Sequence, residues 1–203
     1  IPLLKLKKVR HGPSEICSLF LDSNYRKGGL GRLLSLGRFL FIANHPKRFQ
    51  KKIIAEMRGF SDQCIVSPFW EYIGRPFYEI DFQHADTLST FQPDFIEALI
   101  PKEAIYLNLM PKRIMKYIAK PHPNTLPALK MLNQEGFSFD YEVDIFDAGP
   151  QISCSTQSLR CIKESQIKGF EKSSEPLENT EMLLVSNLAR SPVDFRCTLT
   201  PVA

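Results

Sequence analysis

The sequence predicts an α/β fold, of the α+β kind, and three of its features support this class. Short apolar runs typical of strands alternate with longer runs in which apolar residues recur at helical spacing. With 203 residues, of which 43% are hydrophobic, the chain can bury a core of ordinary size. It contains no internal repeat and no low-complexity tract.

The elements follow from apolar runs bounded by turn residues. Strands are expected at residues 16–21, 52–59, 77–82, 104–110, 139–147, 181–187 and 195–202. Helices are expected from Leu30, near 68–74, at 111–119 and at 124–137, the last with Gly136 at its C-cap. Residues 167–181 are polar and rich in Ser, Glu and Pro, which predicts a loop or linker. Residues 1–166 are therefore expected to form the main domain, with the strands of 182–203 packing on it.

Charge and cysteine usage exclude several classes of protein. Lysine and arginine number 26 against 22 acidic residues, a spread-out surplus of four that is too weak to indicate nucleic acid. Neither a membrane span nor a secretory signal is visible, which predicts a cytoplasmic protein. The five cysteines contain no C-x-x-C pair, so neither disulfides nor a metal site is expected. The absence of an initial methionine suggests processing, truncation or a disordered segment upstream.

The stretch "YRKGGLGRLL", residues 25–34, predicts an anion-binding turn. It lies between the strand expected at 16–21 and a helix that places Leu30, Leu33 and Leu34 on one face. Glycines at such a turn permit positive φ and leave the first amides of the helix open to a negatively charged ligand. The alternative is a glycine turn without a ligand.

The spacing of the turn separates the phosphate-binding families. No Lys-Ser/Thr pair completes a Walker loop, and Leu34 occupies the third small position of a dinucleotide fingerprint. The stretch instead resembles the R-x-x-G-x-G motif of the acyl-CoA N-acyltransferase superfamily, with Arg26, Gly29 and Gly31 as its fixed points. This resemblance implies a GNAT-like fold, with a mixed central sheet flanked by helices, and a turn that binds the CoA pyrophosphate.

Longer stretches resemble the arginine N-succinyltransferase family. They include "SEICSLFLD", "SPFWEYIGRPFYEIDF", "HPNTLPALKMLNQEGF" and "DIFDAGP". The resemblance implies succinyl transfer from succinyl-CoA to the α-amino group of L-arginine, with Leu19 contacting succinyl-CoA and His122 as proton donor. It also implies an additional N-terminal acyltransferase-like lobe, absent from this chain, and assembly into a homo- or hetero-oligomer. The chain departs from the family at Ala148, where glycine is usual, and at residues 102–106, where a histidine is lost.

The residues themselves offer partners for the groups of such a reaction. His122 lies between two prolines that restrict its backbone, although a solvated loop histidine is the alternative. Glu56 is a charge within an apolar run and is the first candidate for the guanidinium, with Asp144 and Asp147 as further ones. For each of the three, the alternative is a structural pair with Arg58 or a strand-end charge that faces water. Arg58 and Arg75 are candidates for the succinyl carboxylate. The competing hypothesis is a shortened, non-catalytic CoA-binding or partner subunit.

Overall fold

The computed structural model describes residues 2–62, 66–92, 94–173 and 178–203. The strands in these ranges are β1 (Leu3–Leu4), β2 (Ser14–Glu15), β3 (Lys52–Glu56), β4 (Ile105–Tyr106), β5 (Ser138–Val143), β6 (Pro150–Ser155), β7 (Glu181–Ser186) and β8 (Cys197–Val202). The α-helices are α1 (Leu30–Asn44), α2 (Arg75–Tyr78), α3 (Phe82–Phe91), α4 (Asp94–Leu99), α5 (Lys112–Met115), α6 (Leu126–Gln134) and α7 (Arg160–Glu164). Short 3-10 turns and one π-helical turn, Trp70–Gly74, complete the secondary structure of the described ranges.

The central sheet has the strand order β2-β3-β6-β5. Strands β5 and β6 run antiparallel, with Ser138 opposite Ser153 and Val143 opposite Pro150. Two smaller sheets are formed by β1 with β4 and by β7 with β8, the latter an antiparallel hairpin that pairs Leu184 with Leu199. The expected α/β class is confirmed.

The chain divides into two compact units. The first unit comprises Ile1–Gly12, Ile54–Lys130 and Ser138–Ser153. One of its apolar cores surrounds Trp70, whose ring stacks on Tyr78 and Phe146 with centroids 5.2 and 5.4 Å apart. The indole Nε1 donates a hydrogen bond to the carbonyl of Ile80 at 3.1 Å. Gly74 lies against this ring, because a Cβ there would be 2.1 Å from Trp70 Cε3.

The second unit comprises Pro13–Ile53, Met131–Phe137 and Cys154–Ala203. Helix α1 packs against α7 and against the β7–β8 hairpin. Phe39 is fully buried beside Phe137, with ring centroids 5.9 Å apart. The buried carboxylate of Glu135 accepts hydrogen bonds from Arg160 and from the amide of Cys161, so the charge in this core is paired.

Two of the expected strands are wrong. Residues 16–21 form no strand, since the strand before them ends at Glu15 and Ser18 adopts a left-handed φ of 53° that interrupts an extended run. Residues 77–82 are also not a strand. Tyr78 ends α2, and the Asp81 side chain accepts a hydrogen bond from the amide of His84 and caps α3.

Other expectations are confirmed in whole or in part. Helix α1 begins at Leu30, and α6 is followed by Gly136 at a φ of 103°. Strands β3, β7 and β8 lie where expected. Within residues 104–110 only Ile105–Tyr106 form a strand, followed by a 3-10 turn at Leu107–Leu109, and only the first part of 139–147 is a strand. The sequence did not predict α3 and β6. Residues 174–177 of the expected linker, and Cys64, lie outside the described residues.

The leucine face of α1 borders a cavity. Leu30 and Leu34 are 37% and 40% exposed, and with Leu33 and Phe41 they line an apolar cavity of about 670 Å³ within the second unit. Periodicity predicted which residues share a face of the helix. It did not predict how much of that face is covered.

Candidate active site

The glycine turn precedes α1 directly. Gly28 and Gly29 have φ values of 60° and 78°, and Gly29 is the N-cap residue of the helix. A Cβ on either glycine would meet no atom within 4 Å, so the left-handed backbone, and not crowding, requires glycine there. The N-cap makes no side-chain hydrogen bond. The amides of Gly31 and Arg32 therefore remain as first-turn donors that the helix itself does not use.

The other residues expected to bind CoA lie on the same segment. Arg26 is exposed, and its Nε donates a hydrogen bond to the carbonyl of Leu21 at 2.9 Å. The structure thus brings Arg26, Gly29 and Gly31 together beside residue 21 at one turn. Leu19 lies two residues before Leu21; its side chain is 38% exposed, and it lies outside any strand. Their roles toward CoA stay predictions.

Glu56 lies in the wall of a cavity of about 440 Å³ within the first unit. It ends β3 and is exposed, as is Arg58, while Met57 between them is buried. The cavity has charges of both signs and an apolar part. Its acidic residues include Glu56, Glu142 and Asp144, its basic ones are Lys5, Lys7 and Lys8, and its aromatic ones are Phe69, Phe77 and Tyr78. Lys7 and Glu142 form an ion pair.

Asp144 is a carboxyl of this wall whose pKa is raised. Burial, together with the nearby charge of Asp147, raises the pKa of Asp144 to about 6 from its ordinary value of 3.8. Its Oδ1 accepts hydrogen bonds from the amides of Phe146 and Asp147 at 2.7 and 2.9 Å, which act in the opposite direction. Burial also raises the pKa of Tyr78 to about 12, so the phenol stays protonated at neutral pH.

His122 is held by its backbone. Its amide donates to the carbonyl of Arg58 at 2.8 Å, and Pro121 pairs with Gly59 in an isolated antiparallel bridge. The ring Nδ1 accepts a hydrogen bond from the amide of Asn124 at 3.1 Å. Because Nδ1 is an acceptor, the proton of the neutral imidazole lies on Nε2. Nε2 is therefore the atom of His122 that can donate to a substrate.

Other sequence candidates already have structural partners. Asp147 accepts hydrogen bonds from the amides of Gly59 and Gly149, both at 2.7 Å, which makes it a support of the backbone and not a free guanidinium ligand. Arg75 pairs with Glu71 at 2.8 Å, and Arg58 donates to the hydroxyl of Ser61 at 3.0 Å.

The lysines of the cavity and Glu142 were not singled out from the sequence. Lys5, Lys7 and Lys8 belong to an N-terminal basic run, and Glu142 lies in the strand β5. Only the fold brings these distant segments to one wall. An alternation of charges with apolar residues in "LKLKK" and "YEV" was the only local signal available.

The described ranges contain neither a cluster of metal ligands nor a membrane-spanning helix. Among the described residues, no three His, Cys, Asp or Glu side chains are grouped so that they could hold a metal ion. No helix of those ranges combines the length and the apolar character needed to cross a bilayer. The described cysteines Cys17, Cys154, Cys161 and Cys197 are free thiols.

The α/β architecture is a GNAT-like acyltransferase fold. It matches the solved structure of the arginine/ornithine succinyltransferase subunit AI from Pseudomonas aeruginosa with a TM-score of 0.73 and 30% identity, over 92% of this chain and 52% of that one. The family model of the arginine N-succinyltransferase beta subunit matches residues 1–161. The chain belongs to this family, which confirms the resemblance in its sequence.

Relatives with assigned names agree with the family. The arginine N-succinyltransferase subunit beta of Pseudomonas aeruginosa is 45% identical over 202 residues, which are 99% of this chain and 58% of that protein. The arginine N-succinyltransferase of Salmonella typhi is 39% identical over 92% of this chain and 55% of that protein. The chain thus spans about half the length of the curated relatives that it matches.

Proposed function

We propose that the protein transfers a succinyl group from succinyl-CoA to the α-amino group of L-arginine. The observation that carries the proposal is the cavity of the first unit, whose wall combines carboxylates and lysines. An amino acid with a cationic side chain needs both, because its guanidinium and its α-carboxylate carry opposite charges. The names of the relatives, arginine N-succinyltransferase, support the same substrate.

The carboxylates would bind the guanidinium. Glu56, Glu142 and Asp144 all line the cavity, and Glu142 forms an ion pair with Lys7. We assign Glu56 as the first contact, since it is exposed whereas Asp144 is half-buried. The volume, about 440 Å³, is within the range of about 300 to 1,000 Å³ usual for small-molecule pockets.

The glycine turn would bind the CoA pyrophosphate. The first-turn amides of α1 and the exposed side chains of Arg26 and Lys27 supply hydrogen bonds and positive charge. Leu19, exposed just before the turn, would contact the acyl-CoA. Succinyl-CoA is a co-substrate in this proposal, and the reaction requires no metal.

His122 would serve the proton transfers. The amine nitrogen attacks the thioester carbonyl, the C–N bond forms and the C–S bond breaks. The amine loses one proton and the departing sulfur gains one. A fixed imidazole that carries its proton on Nε2 can donate it toward the sulfur as negative charge develops there.

The proposed enzyme is cytoplasmic and works as part of an oligomer. Two of the matched proteins are named as subunits, and the matched proteins are about twice the length of this chain. We propose that an acyltransferase-like lobe, from the same or another chain, completes the assembly.

Release of the CoA thiol tests the function. Succinyl-CoA should release thiol only when arginine is added, and His122→Ala should lower kcat by about a hundredfold or more. His84→Ala is the matched control, because His84 is exposed on α3 and should leave turnover unchanged. Binding of CoA without arginine-dependent turnover would indicate the non-catalytic subunit instead.

A further inference from the structure

Asp147 links two segments of the chain through its carboxylate. Oδ2 accepts the hydrogen bond of the Gly59 amide and Oδ1 that of the Gly149 amide, both at 2.7 Å. Gly59 follows the end of β3, and Gly149 immediately precedes β6. Hydrogen bonds to a charged acceptor are about twice as strong as neutral ones. The carboxylate of Asp147 therefore holds the segment after β3 against the turn before β6.

The same backbone holds the segment that carries His122. Gly59 forms the bridge with Pro121, and the carbonyl of its neighbour Arg58 accepts from the His122 amide at 2.8 Å. On the other side, the amide of Ala119 donates to the carbonyl of Ala148 at 2.9 Å. The segment 119–122 is therefore tied at both ends to residues that adjoin the contacts of Asp147.

The packing around the Asp147 carboxylate leaves no room for a side chain at Gly59 or Gly149. A Cβ on Gly59 would lie 2.3 Å from the carbonyl oxygen of Asp147 and 2.6 Å from its Oδ1. A Cβ on Gly149 would lie 2.0 Å from the carbonyl oxygen of Met57. Glycine at both positions permits the close approach that the carboxylate needs.

We propose that Asp147 is a positioning residue for His122, acting through the Gly59 amide and the bridge to Pro121. This inference rests on the proposed function. Since the Nδ1 contact of the ring is the Asn124 amide, the backbone of 122–124 sets the direction of Nε2. A shift of the Gly59 backbone would move that whole segment and turn Nε2 away from its target.

Asp147→Asn tests the proposal with little change of shape. In asparagine an NH2 group replaces one of the two acceptor oxygens. This donor then faces a backbone N–H, which is also a donor, so one of the two hydrogen bonds is lost. We expect kcat to fall by about ten- to a hundredfold with both KM values nearly unchanged. Asp81→Asn is the matched control, because Asp81 accepts a single backbone hydrogen bond and asparagine also caps helices.

A double mutant separates positioning from general stability. If Asp147 acts through His122, then Asp147→Asn should cost little in a background that already contains His122→Ala. A purely structural role would reduce the active fraction by the same factor in both backgrounds. Equal losses in the two backgrounds would overturn the proposal.

Two measurements without substrate distinguish a failure of this inference from a failure of the proposed function. The NMR signal of the His122 ring should shift and broaden in Asp147→Asn but not in Asp81→Asn. In the unmutated protein, the amides of Gly59 and His122 should exchange with solvent at closely similar rates, since one opening exposes both. An unmoved ring signal, or a Gly59 amide that exchanges far faster than that of His122, would contradict the positioning role. Absence of arginine-dependent turnover in the parent would instead contradict the proposed function alone.

Discussion

At the scale of single residues, two neighbouring carboxyls have different functions in the fold. Asp147 accepts hydrogen bonds from two backbone amides and supports the backbone. Asp144, three residues earlier, is half-buried in the wall of the charged cavity, and its pKa is raised to about 6. Because the folded protein holds this proton to a higher pH than the unfolded chain does, ionisation of Asp144 opposes folding.

The pH dependence of stability tests this difference. The stabilising contribution of protonated Asp144 is complete below about pH 4 and is lost as the pH rises through about 6, a change of about 3 kcal/mol. Asp144→Asn keeps an oxygen for the amides of Phe146 and Asp147 and cannot ionise. Its free energy of unfolding relative to the parent should rise between pH 4 and 7, as measured by urea denaturation. A difference that is constant with pH would show that Asp144 titrates normally.

Single residues also show what the sequence could predict about the site. His122 stands out because prolines flank it, and Glu56 because it interrupts an apolar run. Asp147 looked like Asp144 in the sequence, since both are acidic residues of one short stretch. Their difference depends on the amides of Gly59 and Gly149, and Gly59 is distant in sequence, in the segment that follows β3.

At the scale of elements, the start of α1 best connects sequence with structure. The three glycines predicted a turn with positive φ before a helix, and Gly28 and Gly29 have that conformation. The strand expected before the turn is absent, because apolar composition is a weak guide for a six-residue run without alternation. Local chemistry fixed the turn, whereas the conformation of residues 16–21 depends on tertiary context.

Two glycines of this turn make a matched pair of substitutions. Gly29→Ala forces a left-handed backbone on alanine and should lower the free energy of unfolding by about 1 kcal/mol. It should also raise KM for succinyl-CoA, since relief of the strain moves the first-turn amides. Gly31→Ala lies inside the helix, where its Cβ would meet Leu21 at an ordinary 3.6 Å, and should keep or raise the free energy of unfolding.

Thermal denaturation of the two glycine variants and titration of succinyl-CoA would check these expectations. Equal stabilities for both variants would argue against strain at residue 29. An unchanged KM for succinyl-CoA in Gly29→Ala would argue against the turn as the pyrophosphate site.

At the scale of the whole molecule, the family accounts for the architecture. The order of the family-like stretches along the chain predicted the family, and the fold and the named relatives confirm it. The charged cavity could not be predicted in the same way, because its wall combines β3, β5 and an N-terminal segment that are far apart in sequence. Sequence patterns record neighbours along an element; the walls of a cavity depend on how elements pack.

Identification of the reaction product tests the central claim most directly. The protein is incubated with succinyl-CoA and arginine, or with citrulline, which has nearly the same shape but no positive charge on its side chain. We predict that mass spectrometry and NMR will find arginine succinylated on its α-nitrogen, with far less product from citrulline, because the cavity carboxylates recognise the guanidinium charge. Failure to form any succinylated arginine, or equal turnover of citrulline, would contradict the account.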